Sequence, residues 1–272
     1  MRTPSSTRFR GFLAFSSVCL LALAFFAAAY RAAEQSPSPP GSLAEAIVRA
    51  RELVKSQLAP KVPGLAVAVA ADGKIIWSEG FGYADWETKA PVTTSTRFRI
   101  GSVSKPLTAA GLALLVERGR LDLDAPVQKY IPDFPDKGAV ITTRLLAGHL
   151  AGIRHYKGDE FLLNRPFQNV REGLTIFEND PLVAPPGAKY SYSTYGFNLI
   201  SAVMEVAAKK EFLSYMEHSV FKPLGMKNTR PDLAGAEDPQ RTQFYDSDAQ
   251  GQFIVSPAVD NSYKWAGGGF LS

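Results

Sequence analysis

The period of the apolar positions changes several times along this chain, and each change predicts an element. Gly11–Tyr30 is almost unbroken apolar or small sequence. Gln35-Ser36-Pro37-Ser38-Pro39-Pro40-Gly41 follows and reads as a stiff, exposed spacer. Ser42 then caps a helix whose apolar positions are Leu43, Ile47, Leu53 and Val54, with Glu45 as the capping-box partner. Leu65–Ala70 is a valine-rich run, Ala71-Asp72-Gly73-Lys74 is a hairpin turn, and Ile75-Ile76-Trp77 starts the returning strand. Leu107, Ala110, Gly111, Leu114 and Leu115 return to helical spacing, and Gly119 suits the end of that helix. From Leu121 to Asp248 the pattern is helical and rich in loops, with an apolar helix over Phe197–Ala208. Strand patterning reappears only weakly, at Gln252–Val255, and no internal repeat is visible.

The helix after the hairpin opens on Ser102-Val103-Ser104-Lys105. Three residues along a helix share a face, so the Lys105 ammonium can reach the Ser102 hydroxyl. A serine hydroxyl needs an adjacent base to act as a nucleophile at neutral pH. A lysine becomes that base when burial or nearby positive character lowers its pKa. Pro106 is compatible with the first turn, where the helical N–H groups have no intrahelical acceptor. The same pattern recurs at Ser219-Val220-Phe221-Lys222, but there it closes a helix-like stretch ahead of Pro223-Leu224-Gly225, so Ser219 reads as structural.

A second candidate segment is Pro186-Gly187-Ala188-Lys189-Tyr190-Ser191-Tyr192-Ser193-Thr194-Tyr195-Gly196. Pro-Gly marks a turn, and Tyr192-Ser193-Thr194 lies in the loop ahead of the Phe197–Ala208 helix. A tyrosine beside a lysine can relay protons. Alternatively, Tyr190, Tyr192 and Tyr195 form an aromatic cluster that packs the start of the helix. The tyrosines alone leave both readings open, whereas Ser102 and Lys105 together with Tyr192 favour the relay.

Ser-x-x-Lys after Arg99-Ile100-Gly101, followed by Pro-Gly-x4-Tyr-Ser-Thr, resembles the serine β-lactamase and penicillin-binding DD-peptidase superfamily in its class C-like branch. The segments Leu121–Gln128, Thr142–Leu146, His149–Tyr156 and Val259–Phe270 narrow the resemblance to a group known from mitochondria that also has bacterial members. It covers roughly residues 43–272. It implies an α/β fold, an antiparallel sheet flanked by helices with a mostly helical lobe beside it. It implies Ser102 as the acylated nucleophile, Lys105 as its base and Tyr192 as the proton shuttle. Thr194 takes the position where many relatives carry asparagine, which makes β-lactam hydrolysis a poorer expectation than peptide or ester cleavage. Thr194, Gly268 and Gly269 are the implied substrate-binding positions, and the glycine run is expected ahead of a helix. The third motif of the superfamily, Lys-Thr-Gly or His-x-Gly on a later strand, is not in the chain; Lys264 is followed by Trp265-Ala266. The expectation is therefore a serine hydrolase domain over 43–272 that is truncated at its C-terminus, lacks the strands that pair beside the first two, and is poorly active as given. A non-catalytic scaffold, or a peptide- or penicillin-binding module that acylates without turnover, is the alternative.

Composition changes the picture at the N-terminus. Arg2, Arg8 and Arg10 precede the apolar run, and they account for most of the formal charge of +4. Residues 1–30 read as a signal peptide, with Ala27-Ala28-Ala29 as a cleavage site, or as a membrane anchor, and 31–42 as a Pro/Ser-rich linker. Export to a bacterial periplasm, secretion or inner-membrane anchoring follows, with the mitochondrial intermembrane space as the alternative. The one cysteine, Cys19, lies inside the apolar run, so the folded part has neither disulfide nor thiol chemistry. No basic stripe suggests nucleic acid. His149, His155 and His218 lack metal-ligand spacing, no cofactor is implied, and His149 reads as hydrogen-bonded at a loop turn. The expected partner is a small peptide, ester or β-lactam-like substrate.

Overall fold

The computed structural model describes residues 41–272. The leader expected over 1–30 and nearly all of the 31–42 linker lie outside the described residues, within which no helix is long and apolar enough to cross a membrane. The described residues fall in two units, one ending at Ser56 and the other Gln57–Ser272. In the first, helix α1 (Leu43–Leu53) begins at Ser42, whose hydroxyl accepts the Glu45 N–H at 3.2 Å. That bond satisfies one of the orphan donors of the first turn.

The second unit opens with the expected hairpin. Strands β1 (Gly64–Ala71) and β2 (Lys74–Asp85) pair antiparallel, and β2 continues against β3 (Ala90–Pro91) in the order β1-β2-β3. Asp72 and Gly73 turn the chain with φ of 50° and 71°, the left-handed pair that a tight hairpin needs. Trp77 and Phe81 face the same side of β2 and meet edge to face, with ring centroids 6.4 Å apart. Among the described residues β1 has no partner on its other edge. The weak strand at Gln252–Val255 does not fill that edge. Its residues Phe253–Val255 (β6) pair with Tyr245–Ser247 (β5) in a separate two-stranded sheet.

The rest is a helical lobe. Helix α2 spans Ser104–Glu117, α3 Thr143–Ala147, α4 Val170–Leu174, α5 Thr194–Ala208, α6 Phe212–Met216 and α7 Trp265–Gly268. Gly119, with φ of 65°, follows the C-cap Arg118 and ends α2 as its position in the sequence implied. Helix α5 starts three residues before its predicted Phe197, because Ser193 caps it by accepting the Gly196 N–H at 3.0 Å. This helix is buried on nearly every side and packs against α2, α3, α4, α6 and α7. Leu115, Ile141, Leu146, Leu174, Leu199, Ile200, Met204 and Met216 fill the core around it.

The last strand, β7 (Phe270–Leu271), pairs with β4 (Arg230–Pro231) on one side. On the other it meets the segment before α2. Phe98 N–H donates to Ser272 O at 3.0 Å and Ile100 N–H to Phe270 O at 3.1 Å. The glycine-rich segment is thereby fixed beside the start of α2. Across the lobe, buried Arg154 pairs with Glu160 and Asp180, and Glu160 also accepts the Tyr195 hydroxyl at 2.8 Å. This ion cluster fixes the loop that carries His149 and His155.

Leu199→Ala deletes a side chain at the centre of this core and is expected to lower unfolding stability by about 2–5 kcal/mol. Val140→Ala, at an exposed position, should change it by no more than about 0.5 kcal/mol. Urea denaturation midpoints of the two variants check the contrast.

Candidate active site

A tight turn at Gly101–Val103 leads directly into α2, so Ser102 sits just ahead of the helix and Lys105 is its second residue. The spacing brings Lys105 Nζ to 3.1 Å from Ser102 Oγ. Ser104, buried between them in sequence, accepts the Phe270 N–H at 3.3 Å and ties β7 to the same turn. Tyr192 comes from the other side, one residue before the Ser193 cap of α5. Its hydroxyl donates to Ser102 Oγ at 2.6 Å. Ser193 holds that position twice over, since its hydroxyl also donates to Arg154 O at 2.7 Å.

Two further acceptors complete the surroundings of Lys105. Thr194 Oγ1 stands at 3.2 Å and Gly267 O at 2.6 Å from Nζ, so each of the three ammonium N–H donors has an acceptor. Gly267 is required for that approach: a Cβ there would lie 2.4 Å from Thr194 Cγ2. The Lys105 ammonium also lies 4.7 Å from the centre of the Tyr192 ring.

Burial lowers the Lys105 pKa below the ordinary lysine value, against the smaller opposing pull of Tyr192. Burial alone would raise the Tyr192 phenol, but its hydrogen bonds with Lys105 and Ser102 and the Lys105 charge outweigh it, so Tyr192 is lowered. Both groups are thus lowered from their ordinary values, and their shared contact with Ser102 Oγ gives a path for proton transfer.

Both histidines of the neighbouring loop serve Tyr192. His149, with φ of 57°, accepts the Ser193 N–H through Nδ1 at 3.2 Å, and His155 accepts the Thr194 N–H through Nδ1 at 3.2 Å. Their rings flank the phenol, with centroids 4.5 Å and 5.5 Å from that of Tyr192. Accepting through Nδ1 requires a neutral ring there. Burial first, and the Lys105 charge second, lower both imidazoles below their usual value. His149 was legible as a loop-turn residue; His155 carried no signal beyond its place beside Arg154.

These groups open into a cavity of about 430 Å³ whose walls include Ser102, Tyr192, Thr194, Gly267 and Gly268. The sequence expectations are adjusted at two points. Gly269 does not line the cavity: it packs on Trp265, where an added Cβ would lie 2.7 Å from the indole, and Gly267 takes its place. The glycine run was expected ahead of a helix, but it closes α7 and leads into β7. Thr194 lines the cavity, yet its hydroxyl is engaged by Lys105. Of the three tyrosines only Tyr195 belongs to the core, stacked on Phe177 at 4.7 Å, while Tyr190 is exposed. Ser219 does not line this cavity, and Lys222 forms an exposed ion pair with Glu217 at 3.0 Å.

Residues 50–272 match the family described as Beta-lactamase. The chain belongs to the β-lactamase family. Human mitochondrial serine beta-lactamase-like protein LACTB is 36% identical to it over 88% of this chain and 56% of that protein. The D-aminopeptidase of Gluconobacter oxydans is 31% identical over 75% of this chain and 39% of its own. Among solved structures, the octameric penicillin-binding protein homologue from Pyrococcus abyssi superposes with a TM-score of 0.71 at 26% identity, covering 83% of this chain and 53% of that one. The fold is that of the β-lactamases and DD-peptidases. The chain spans about half the length of the mitochondrial relatives it matches.

The histidine geometry sets a pH dependence. A group whose folded pKa is lowered binds fewer protons in the native state, so its contribution is complete above the unfolded value and is lost as pH falls. Stability is therefore expected to decline as pH drops below about 6.5, the ordinary histidine value. A His149→Gln/His155→Gln double variant, which keeps an acceptor but cannot charge, should show a flatter melting temperature between pH 5 and 7. An equally steep decline in that variant would assign the effect to other groups.

Proposed function

We propose that this protein is a serine hydrolase that cleaves an amide or ester through an acyl-enzyme on Ser102. The observation that carries the reading is the Ser102 oxygen held between the Tyr192 hydroxyl at 2.6 Å and the Lys105 nitrogen at 3.1 Å, on the wall of a cavity. In the reaction, the Ser102 proton passes to the Lys105–Tyr192 pair as Oγ attacks the substrate carbonyl. The tetrahedral intermediate collapses to an ester of Ser102, and Tyr192 returns the proton to the departing nitrogen or oxygen. Water then attacks the ester with the same pair accepting its proton, the Oγ–acyl bond breaks, and the pair returns that proton to Ser102 Oγ as the acid leaves. Positioned proton transfer of this kind contributes about 10²–10⁴-fold.

Peptide or ester substrates suit the site better than β-lactams. Thr194 offers no amide group to a substrate carbonyl, and its hydroxyl is bonded to Lys105. The similarity to a D-aminopeptidase agrees with a peptide-like substrate. We further propose that the protein is exported, on the strength of the arginine-flanked apolar run over 1–30.

A fluorophosphonate probe is expected to label the wild-type protein on Ser102. Labelling should vanish in Ser102→Ala, persist in Ser219→Ala, and slow by about 10²-fold or more in Lys105→Ala and Tyr192→Phe. An unlabelled wild-type protein would favour a scaffold that keeps the fold without turnover. Export is checked by N-terminal sequencing of the protein from a secreting host. Intact Met1 on protein found in the cytosol would contradict it.

A further inference from the structure

A second cavity, of about 390 Å³, shares no wall residue with the Ser102 cavity. Its size lies within the ~300–1,000 Å³ of small-molecule sites. Part of its wall is aromatic, made by Phe167, Phe212 and Trp265, all three buried. Three carboxylates line it as well. Glu205 stands in the last turn of α5, Glu211 just ahead of α6, and Asp260 five residues before α7. No lysine, arginine or histidine lines this cavity, and among the described residues none of the three acids has an ion pair.

Two of these acids are badly placed for anions without a counter-charge. Asp260 is only 9% exposed. Its Oδ1 accepts the Ser262 N–H at 2.8 Å and the Ser262 hydroxyl, while its Oδ2 has no donor among the described residues. Glu205 accepts the Phe212 N–H at 2.7 Å, but it sits at the negative end of the α5 dipole. Burial raises the Glu205 pKa above the ordinary carboxylate value, and the Glu211 charge adds to the rise, against the Phe212 bond. A buried charge without a partner costs stability, and a neutral side chain would fill either position more cheaply. Among the described residues no three such groups are set to share a metal ion. The charge that would balance these acids is therefore one that also suits an aromatic wall.

We propose that this cavity binds an organic ammonium ion, with its N–H donors on Asp260 and Glu205 and its apolar group against Phe167, Phe212 and Trp265. The site does not depend on the hydrolase reading above. An ammonium supplies the missing donors and the missing charge in charge-assisted hydrogen bonds. The faces of aromatic rings attract the same cation, and their area covers the hydrocarbon it carries. An alcohol of the same shape brings a donor without the charge, and an inorganic ammonium brings the charge without the apolar group. Each is expected to bind less well than the two combined.

The full chain is titrated by calorimetry at neutral pH with 2-phenylethylammonium, 2-phenylethanol and ammonium chloride. The phenylethylammonium ion is expected to bind about tenfold or more tightly than the alcohol, and ammonium chloride more weakly than either. Asp260→Asn keeps an oxygen for Ser262 and removes the charge, and it should weaken phenylethylammonium about tenfold while sparing the alcohol. Glu205→Gln should act in the same direction, and it decides the matter where Asp260→Asn lowers the melting temperature too far for titration. Leu233→Trp fills the cavity and should abolish binding of both. Trp265 in the wall gives an optical readout: its fluorescence should change on binding, and the change should vanish in Trp265→Phe while calorimetry still detects the ligand. Equal affinity for amine and alcohol would overturn the ammonium assignment, as would amine binding that ignores both Asp260→Asn and Glu205→Gln. Asp246 is the sole acid on the wall of the Ser102 cavity among the described residues. Binding that is lost in Asp246→Asn and kept in Asp260→Asn would put the amine in that cavity and overturn the new site. Absence of measurable binding at millimolar amine would overturn it too.

Discussion

The Lys105 ammonium is the constraint on which the rest of the site depends. It is buried, and the acceptors that make its burial tolerable come from three places: the turn before α2, the first residue of α5, and the carbonyl of Gly267 in α7. A buried charge lacking such partners would cost several kcal/mol. The requirement to satisfy it therefore converts three separate chain segments into one assembly. The same assembly sets the Ser102–Tyr192 contact, because Tyr192 lies two residues from Thr194 and Ser102 three from Lys105.

The supporting elements can be understood as means of holding those acceptors still. Pairing of β7 with the Phe98–Ile100 segment fixes α7 against the turn, and the Ser104–Phe270 bond adds a side-chain tie at the same point. On the α5 side, Ser193 caps the helix and His149 and His155 take the backbone N–H groups on either side of the Ser193–Thr194 step. Both imidazoles have to be neutral to do so, and burial first, with the nearby Lys105 charge second, favours that state. One cation thus recruits its scaffold and helps to set the protonation of that scaffold.

What the sequence disclosed follows from how far each contact reaches along the chain. Ser102 and Lys105 share a helical face, Asp72-Gly73 can only turn one way, and Ser42 caps the residues next to it; all are local, and all were legible. Tyr192 was legible as a candidate through its setting between a Pro-Gly turn and an apolar helix, although its partner lies ninety residues away. The role of Thr194 was not, since periodicity does not reveal that its hydroxyl meets a lysine on another helix. Gly267 and Gly269 are equivalent in a run of three glycines until the run bends, after which one faces Thr194 and the other Trp265. Lys264 looked like a residue ahead of that run, and its burial among Phe161 and Tyr263 depends on a loop about a hundred positions earlier. The pairing of Gln252–Val255 was likewise a question of which neighbour lay within reach, and β5 lies closer along the chain than β1.

The choice of acceptors explains why Lys105 can be both buried and useful. The arginines of the lobe are neutralised with carboxylates: buried Arg97 with Asp238, buried Arg154 with Glu160 and Asp180, half-buried Arg99 and Arg241 with Asp232. Lys105 receives two hydroxyls and a carbonyl instead. An acid in contact would favour the charged ammonium and raise its pKa, which locks the proton in place. Neutral oxygens satisfy the N–H donors without that penalty, so burial prevails and the pKa falls. A lowered folded pKa also means that Lys105 weakens the fold at neutral pH, a cost that is relieved only as pH rises towards the unfolded lysine value. The apolar helix α5, buried on nearly all sides and bearing Thr194 at its first turn, is the element placed to offset it. The side chains that tune the base and those that hold the fold together therefore sit on the same helix, one turn apart.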